Sequence, residues 1–141
     1  MMLEKSWEHA INQICRIGYK SDPTIYDLRG VRALYKYIEK DPKLKKMRFI
    51  HAAGTNGKGT FCSKVAKSIE LANPGIQVGL FTSPHISSLR ERISINNAKI
   101  SKEAIIDFYN FYSSKKNTDP DLSATSFFDF TTVLALRYFC D

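Results

Sequence analysis

Lys58 lies between two glycines in the run Gly54-Thr55-Asn56-Gly57-Lys58-Gly59-Thr60. These residue types at this spacing suit the binding of a phosphate chain. Glycines let a backbone curl until successive N–H groups point at one anion. A helix that begins there adds the positive end of its dipole. A lysine inside the loop can reach the β- and γ-phosphates of a nucleotide, and a hydroxyl just after it can face Mg2+. The run is a variant of the usual phosphate loop, G-x-x-x-x-G-K-[ST]. In that register the first glycine would fall at Ala52 and the hydroxyl at Gly59, whereas Thr60 supplies the hydroxyl one residue late. The competing reading is a Gly/Asn turn with an incidental lysine. A second group of reactive side chains, Thr82-Ser83-Pro84-His85, follows another apolar run.

The elements that must position these groups follow from periodicity. Met47 to Ala53 is an apolar run that reads as a strand leading into the loop. Lys58 to Ala72 reads as a helix with Phe61, Val65 and Ile69 spaced by four. Asn73-Pro74-Gly75 breaks it, and Ile76 to Phe81 reads as a second strand. Strand, helix and strand in that order predict a parallel βαβ unit. The loop and Thr82-Ser83-Pro84-His85 then share the carboxyl edge of the sheet, where open α/β sheets bind ligands. Ile93 and Ile95 alternate around Ser94, Asn96-Asn97 signals a turn, and Ala98 to Ile100 pairs back as a short hairpin strand.

Helices flank this core. Leu3 to Ile17 carries Trp7, Ala10, Ile11 and Ile14 on one stripe, with Gly18 as a stop. Tyr19 to Ile25 reads as a loop. Asp27 caps a helix with Leu28, Val31, Leu34, Tyr35 and Ile38 at helical spacing, ended by Asp41-Pro42. Ser101 caps another, with Ile105, Phe108, Tyr109 and Tyr112 on one face. Ser113 to Ser123 is polar and reads as a loop. Ser126 to Phe139 is apolar nearly all round, which predicts burial against a sheet or between layers.

Composition narrows the function classes. A chain of 141 residues with 43% apolar and 25% charged residues is that of one ordinary globular domain. The net charge of +7 suits an anionic ligand. Its basic residues are scattered, with no aromatic-interleaved stripe, which argues against nucleic acid as the partner. Cys15, Cys62 and Cys140 form no C-x-x-C pair and read as small core residues of a reduced protein. No apolar run reaches the length of a membrane span, and the N-terminus lacks a signal-peptide core. The expected location is therefore the cytoplasm.

The blocks HAAGTNGKGT, GLFTSPHISSLRERISIN and SFFDFTTVLALRYF, in this order, resemble the folate-adding members of the Mur ligase superfamily, folylpolyglutamate synthase and dihydrofolate synthase. The resemblance runs from about Tyr26 to Asp141. Gly59 and the FTSPH-to-RERI block separate it from the Mur ligases of cell-wall synthesis. It implies an α/β fold: a three-layer, parallel-sheet core of the phosphate-loop type, incomplete here, with a short hairpin and N-terminal helices. Residues 1–141 would be the N-terminal part of the ATP-binding domain, without the C-terminal glutamate-ligase domain.

The resemblance also implies roles. ATP and Mg2+ would be the cofactors, and folate or dihydropteroate with L-glutamate the substrates. Gly54, Thr55, Asn56, Gly57, Lys58, Gly59 and Thr60 would hold the ATP phosphates, Lys58 offsetting charge as the γ-phosphate moves. Ser83, with Thr60, would bind Mg2+. Ser126, Phe127, Phe128 and Asp129 match the family's pterin-contacting stretch, with Asp129 where Glu is usual. Aromatic faces suit a flat heterocycle and a carboxylate suits its ring nitrogens. The same four residues also read as a capping box with both phenylalanines in the core. His51 and His85 read as structural. The family's E-V-G-x-G-G motif is not in this sequence, so the isolated chain is expected to be inactive as a ligase. With later strands absent, Ser126 to Phe139 would expose apolar surface on one side, so the chain is expected to self-associate, its parent being a monomer. A different Mur-type amide ligase and a non-catalytic nucleotide-binding module are the alternatives.

Overall fold

The computed structural model describes residues 2–18 and 27–141, so the loop expected at Tyr19 to Ile25 lies outside the described residues. The chain divides into two compact units. Unit 1 comprises Met1–Lys46 and Lys102–Asp141, and unit 2, Met47–Ser101, is inserted between those halves. No helix among the described residues is long and apolar enough to cross a membrane.

Unit 1 is built from helices among the described residues: α1 (Met2–Cys15), α2 (Arg29–Tyr35), α3 (Pro42–Lys46), α5 (Lys102–Lys116) and α6 (Phe127–Cys140), with a 3-10 turn at Pro120–Ala124. Helix α1 packs on α5, and it buries Ala10 and Ile14, two members of the expected stripe. Helix α6 packs on α2, α3 and α5. Phe130, Val133 and Leu134 of α6 are fully buried, each contributing about 1.5–3 kcal/mol of hydrophobic stabilisation. The Phe130 ring meets Phe108 and Tyr112 edge to face at 5.2 and 5.3 Å. Tyr112 donates its hydroxyl to the Leu122 carbonyl at 3.2 Å, and burial raises its phenol pKa.

Several sequence expectations for unit 1 change. Helix α6 is buried between helices of unit 1 but not all round, with Phe128 55% exposed. The helix expected to run to Asp41-Pro42 stops at Tyr35, turns fill residues 36–40, and Pro42 starts another helix. Proline at the first position of α3 sacrifices no intrahelical bond, and Asp41 Oδ1 accepts from Lys43 N at 2.8 Å. Asp27 acts one residue outside the cap position, accepting from Arg29 N at 2.9 Å. Of the cysteines, Cys140 is buried whereas Cys15 is exposed. The polar stretch 113–123 contains the end of α5 and most of the 3-10 turn.

Unit 2 holds α4 (Lys58–Ala72) and three strands, β1 (Gly79–Phe81), β2 (Ile93–Ile95) and β3 (Ala98–Lys99), in the order β1-β2-β3. Every pairing is antiparallel, with Leu80 opposite Ser94 and Ser94 opposite Lys99. The β2–β3 hairpin forms where expected. Asn96 and Asn97 take φ of 46° and 65°, the left-handed pair that a tight hairpin turn requires. Asn96 also ties down the approach to β1, accepting from Val78 N at 2.7 Å and donating to Ile76 O at 3.0 Å.

The parallel βαβ unit does not form among the described residues. Met47 to Ala53 carries no strand ladder, and the second strand is shortened to Gly79–Phe81 and pairs with β2 instead. Parallel strands rely on cover over both faces. Phe49 and Ile50 are instead 63% and 61% exposed. The buried apolar residues of unit 2 are few: Ala66, Leu89, Ile93 and Ile100.

Candidate functional site

The loop at residues 54–60 runs directly into α4, and its backbone explains the glycines. Gly57 is the cap residue of α4, at φ 79° and without a side-chain cap. A β-carbon is disfavoured in that left-handed conformation by about 1 kcal/mol or more. Phe61 N is the first amide to reach back to Gly57 O, so the amides before it have no acceptor within the helix. A β-carbon built at Gly54, Gly57 or Gly59 would meet nothing within 4 Å. The loop therefore offers an open backbone surface at the positive end of a fifteen-residue helix. Thr55, Asn56, Lys58 and Thr60 are exposed along it.

Lys58 folds over its own loop. Its Nζ donates to the Gly54 carbonyl and, at 3.1 Å, to the Thr55 carbonyl. The cation is thus held at the loop by two backbone oxygens.

Helix α4 packs on β1, and residues 73–78 turn the chain back between them. After β1 come Thr82 and the exposed Ser83. The following loop is held by residues of the RERI segment, which forms a 3-10 turn at Leu89–Arg92. Glu91 Oε2 accepts from Ile86 N at 2.9 Å and from Ser87 N at 3.3 Å. Those backbone bonds, Ile86 first, lower the Glu91 pKa, with Lys99 adding a smaller effect. Arg92 Nε donates to His85 Nδ1 at 2.7 Å. Arg92 is buried, and desolvation lowers its pKa. His85 is thereby tied to Arg92. Sequence reading found the RERI block as a family mark and assigned it no task. The signal was there in part: a carboxylate and an arginine close behind a Ser-Pro-His turn are the residue types that tie such a turn down.

Ser126, Phe127, Phe128 and Asp129 lie in unit 1 at the start of α6. Ser126 Oγ accepts from Asp129 N at 3.1 Å, and Asp129 Oδ2 accepts from Ser126 N at 2.8 Å. This is a complete capping box. Phe127 is half-buried and Phe128 exposed, so neither is a core residue.

The loop's open backbone, uncapped helix end and cation fit a polyphosphate. Among the described residues no cluster of three or more His, Cys, Asp or Glu is placed to hold a metal ion. Thr60 and Ser83 offer hydroxyl oxygens, which suit a hard cation that takes its other ligands from phosphates and water.

No family model matches the chain. Folylpolyglutamate synthase of Arabidopsis thaliana is 37% identical over 114 residues, 79% of this chain and 18% of that protein. Dihydrofolate synthase/folylpolyglutamate synthase of Buchnera aphidicola is 39% identical over 95 residues, 67% of this chain and 21% of that protein. The solved structure of folylpolyglutamate synthetase from Lactobacillus casei superposes with a TM-score of 0.77 at 28% identity, over 94% of this chain and 33% of that one. These matches define the class: an α/β fold of the Mur ligase type. Within it, the chain is a relative of part of the folylpolyglutamate synthases and dihydrofolate synthases. It spans about a fifth of the length of these curated relatives.

Proposed function

We propose that this chain supplies the nucleotide-phosphate site of an ATP-dependent ligase that joins L-glutamate to a folate or dihydropteroate carboxylate. The observation that carries the reading is the uncapped N-terminus of α4, opened by left-handed Gly57 and followed at once by Lys58. Folylpolyglutamate synthase structures exist with AMPPCP, with AMPPCP and folate together, and with ADP, which supports the same use of the loop here.

In this reading the amides of Gly57, Lys58, Gly59 and Thr60 bind the β- and γ-phosphates, within a loop that Gly54, Thr55 and Asn56 complete. Lys58 exchanges its two carbonyl partners for phosphate oxygens and offsets charge as the γ-phosphoryl group passes to the substrate carboxylate. The glutamate amine then attacks the acyl carbon: the C–N bond forms, the C–O bond to the phosphate breaks, phosphate leaves with that electron pair, and the nitrogen gives up a proton to solvent. Thr60 and Ser83 would hold Mg2+, which when bound neutralises phosphate charge. Phe127 and Phe128 would offer ring faces to the pterin. Asp129 would join them with a carboxylate already engaged in the helix cap.

The ligase activity is proposed for the longer fold of the relatives, with residues 1–141 as part of its ATP-binding domain and further parallel strands beside Met47 to Ala53. The exposed Phe49 and Ile50 support that completion. Titration calorimetry of the 141-residue chain with ATP and Mg2+ tests the phosphate site. Binding is expected, and Lys58→Met should weaken it about tenfold to a hundredfold, the range for a charge-assisted contact. A chain that binds no nucleotide would overturn the reading.

A further inference from the structure

We propose that Glu91 is a positioning residue for the metal–nucleotide site: by gripping the loop after Ser83 from beneath, it holds the Ser83 hydroxyl in place. The inference rests on the ATP reading above and adds a residue to it. Ile86, at the crest of this loop, is 98% exposed, so apolar packing of its side chain does nothing to hold the segment. Polar contacts do the holding. Glu91 takes two consecutive amides, Ile86 and Ser87, on one carboxylate oxygen. Ser88 Oγ accepts from Arg90 N at 3.4 Å, a weaker bond, and Arg92 grips His85. The base of this grip is rigid. Arg90 Nε donates to Ile100 O at 2.6 Å, Thr82 N donates to Arg92 O at 2.9 Å, and Leu89 and Ile93 are buried. Thr82 and Ser83 thus lie between a strand paired with β2 and a loop held by the residues immediately before β2. Lys99 Nζ, 4.0 Å from Glu91 Oε1 and well exposed, is the other charge beside the carboxylate.

The experiment compares the 141-residue chain with Glu91→Ala, Glu91→Gln and Lys99→Gln. Amide exchange is read at Ile86 and Ser87, and ATP binding is titrated against Mg2+ concentration. Glu91→Ala should speed exchange at both amides about tenfold or more, the effect of losing charged acceptors. It should also raise the Mg2+ concentration for half-maximal ATP binding severalfold, while ATP binding without metal stays as in the parent. Glu91→Gln keeps an acceptor oxygen without the charge and should fall between the parent and Glu91→Ala in both readouts; Lys99→Gln should leave both unchanged. Faster exchange in Glu91→Ala with an unaltered Mg2+ dependence would overturn the positioning role and leave the ATP reading intact. A parent chain that binds no ATP while both amides remain protected would overturn the ATP reading, and the positioning role with it.

Discussion

Gly30 of α2 lies directly on the backbone beside Thr125: a β-carbon built at Gly30 would come 2.5 Å from both the Ala124 carbonyl carbon and the Thr125 Cα. Both contacts are backbone atoms, so no side chain can swing aside. The close approach lets α2 pack on the 3-10 turn at Pro120–Ala124, which also packs on α5.

Gly30→Ala should therefore reverse the usual sign of a helix substitution. In an open helix interior, Gly to Ala stabilises by about 1 kcal/mol. Here overpacking should cost about 1–3 kcal/mol or more. A urea melt measures it, and a variant as stable as the parent would show that the contact can relax.

Ser126→Ala should destabilise unit 1 by about 1 kcal/mol, the typical worth of a lost helix cap. Asp129→Asn should cost less, since an amide oxygen can still accept from Ser126 N. If Asp129 also serves a folate ligand, Asp129→Asn should weaken folate binding by the longer enzyme more than it lowers the melting temperature. Equal effects on both would leave Asp129 as a cap alone.

Gly59→Ala separates folding from ligand binding. The position is in the first turn of α4 and a β-carbon there meets open space, so stability should hold or rise by up to about 1 kcal/mol. ATP affinity should nonetheless fall, because on the proposed phosphate reading the added methyl would stand where the backbone approaches phosphate. Calorimetry beside thermal melting reads both. Unchanged affinity would place the phosphates elsewhere.

Acid should release the loop at residues 84–88. The Glu91 pKa is lowered first by the amide of Ile86 and then by that of Ser87. A lowered folded-state value means that the contribution is full above the ordinary glutamate pKa. It is lost as pH falls through the lowered one. The melting-temperature difference between parent and Glu91→Gln should be largest near neutrality and vanish in acid. A difference that persists below the lowered pKa would show that the carboxylate charge is not what holds the loop.

Local features were legible in the sequence because their causes are local. The loop from Gly54, the hairpin at Asn96-Asn97 and the Ser126–Asp129 cap each depend on residues a few positions apart. The lack of a strand ladder at Met47 to Ala53 was not, because strand formation needs partners far along a chain, and an apolar run alone does not supply them. Phe49 and Ile50 have the right chemistry and no ladder. The task of Glu91 was legible only in part, for a different reason. Its partners are backbone amides, which leave no trace in residue identity. The sites themselves were read as residue types, and the structure adds what each touches in the resting chain.

Lys58 resting on the Gly54 and Thr55 carbonyls has a consequence for discrimination. The loop is in effect already occupied by an internal competitor. An incoming anion gains the lysine only by offering it more than two peptide oxygens do. On the proposed reading, a chain of phosphates would bring several negative oxygens within reach at once, where a monovalent anion would bring fewer. The contact of Lys58 with its own loop would then act as a filter on what can open it.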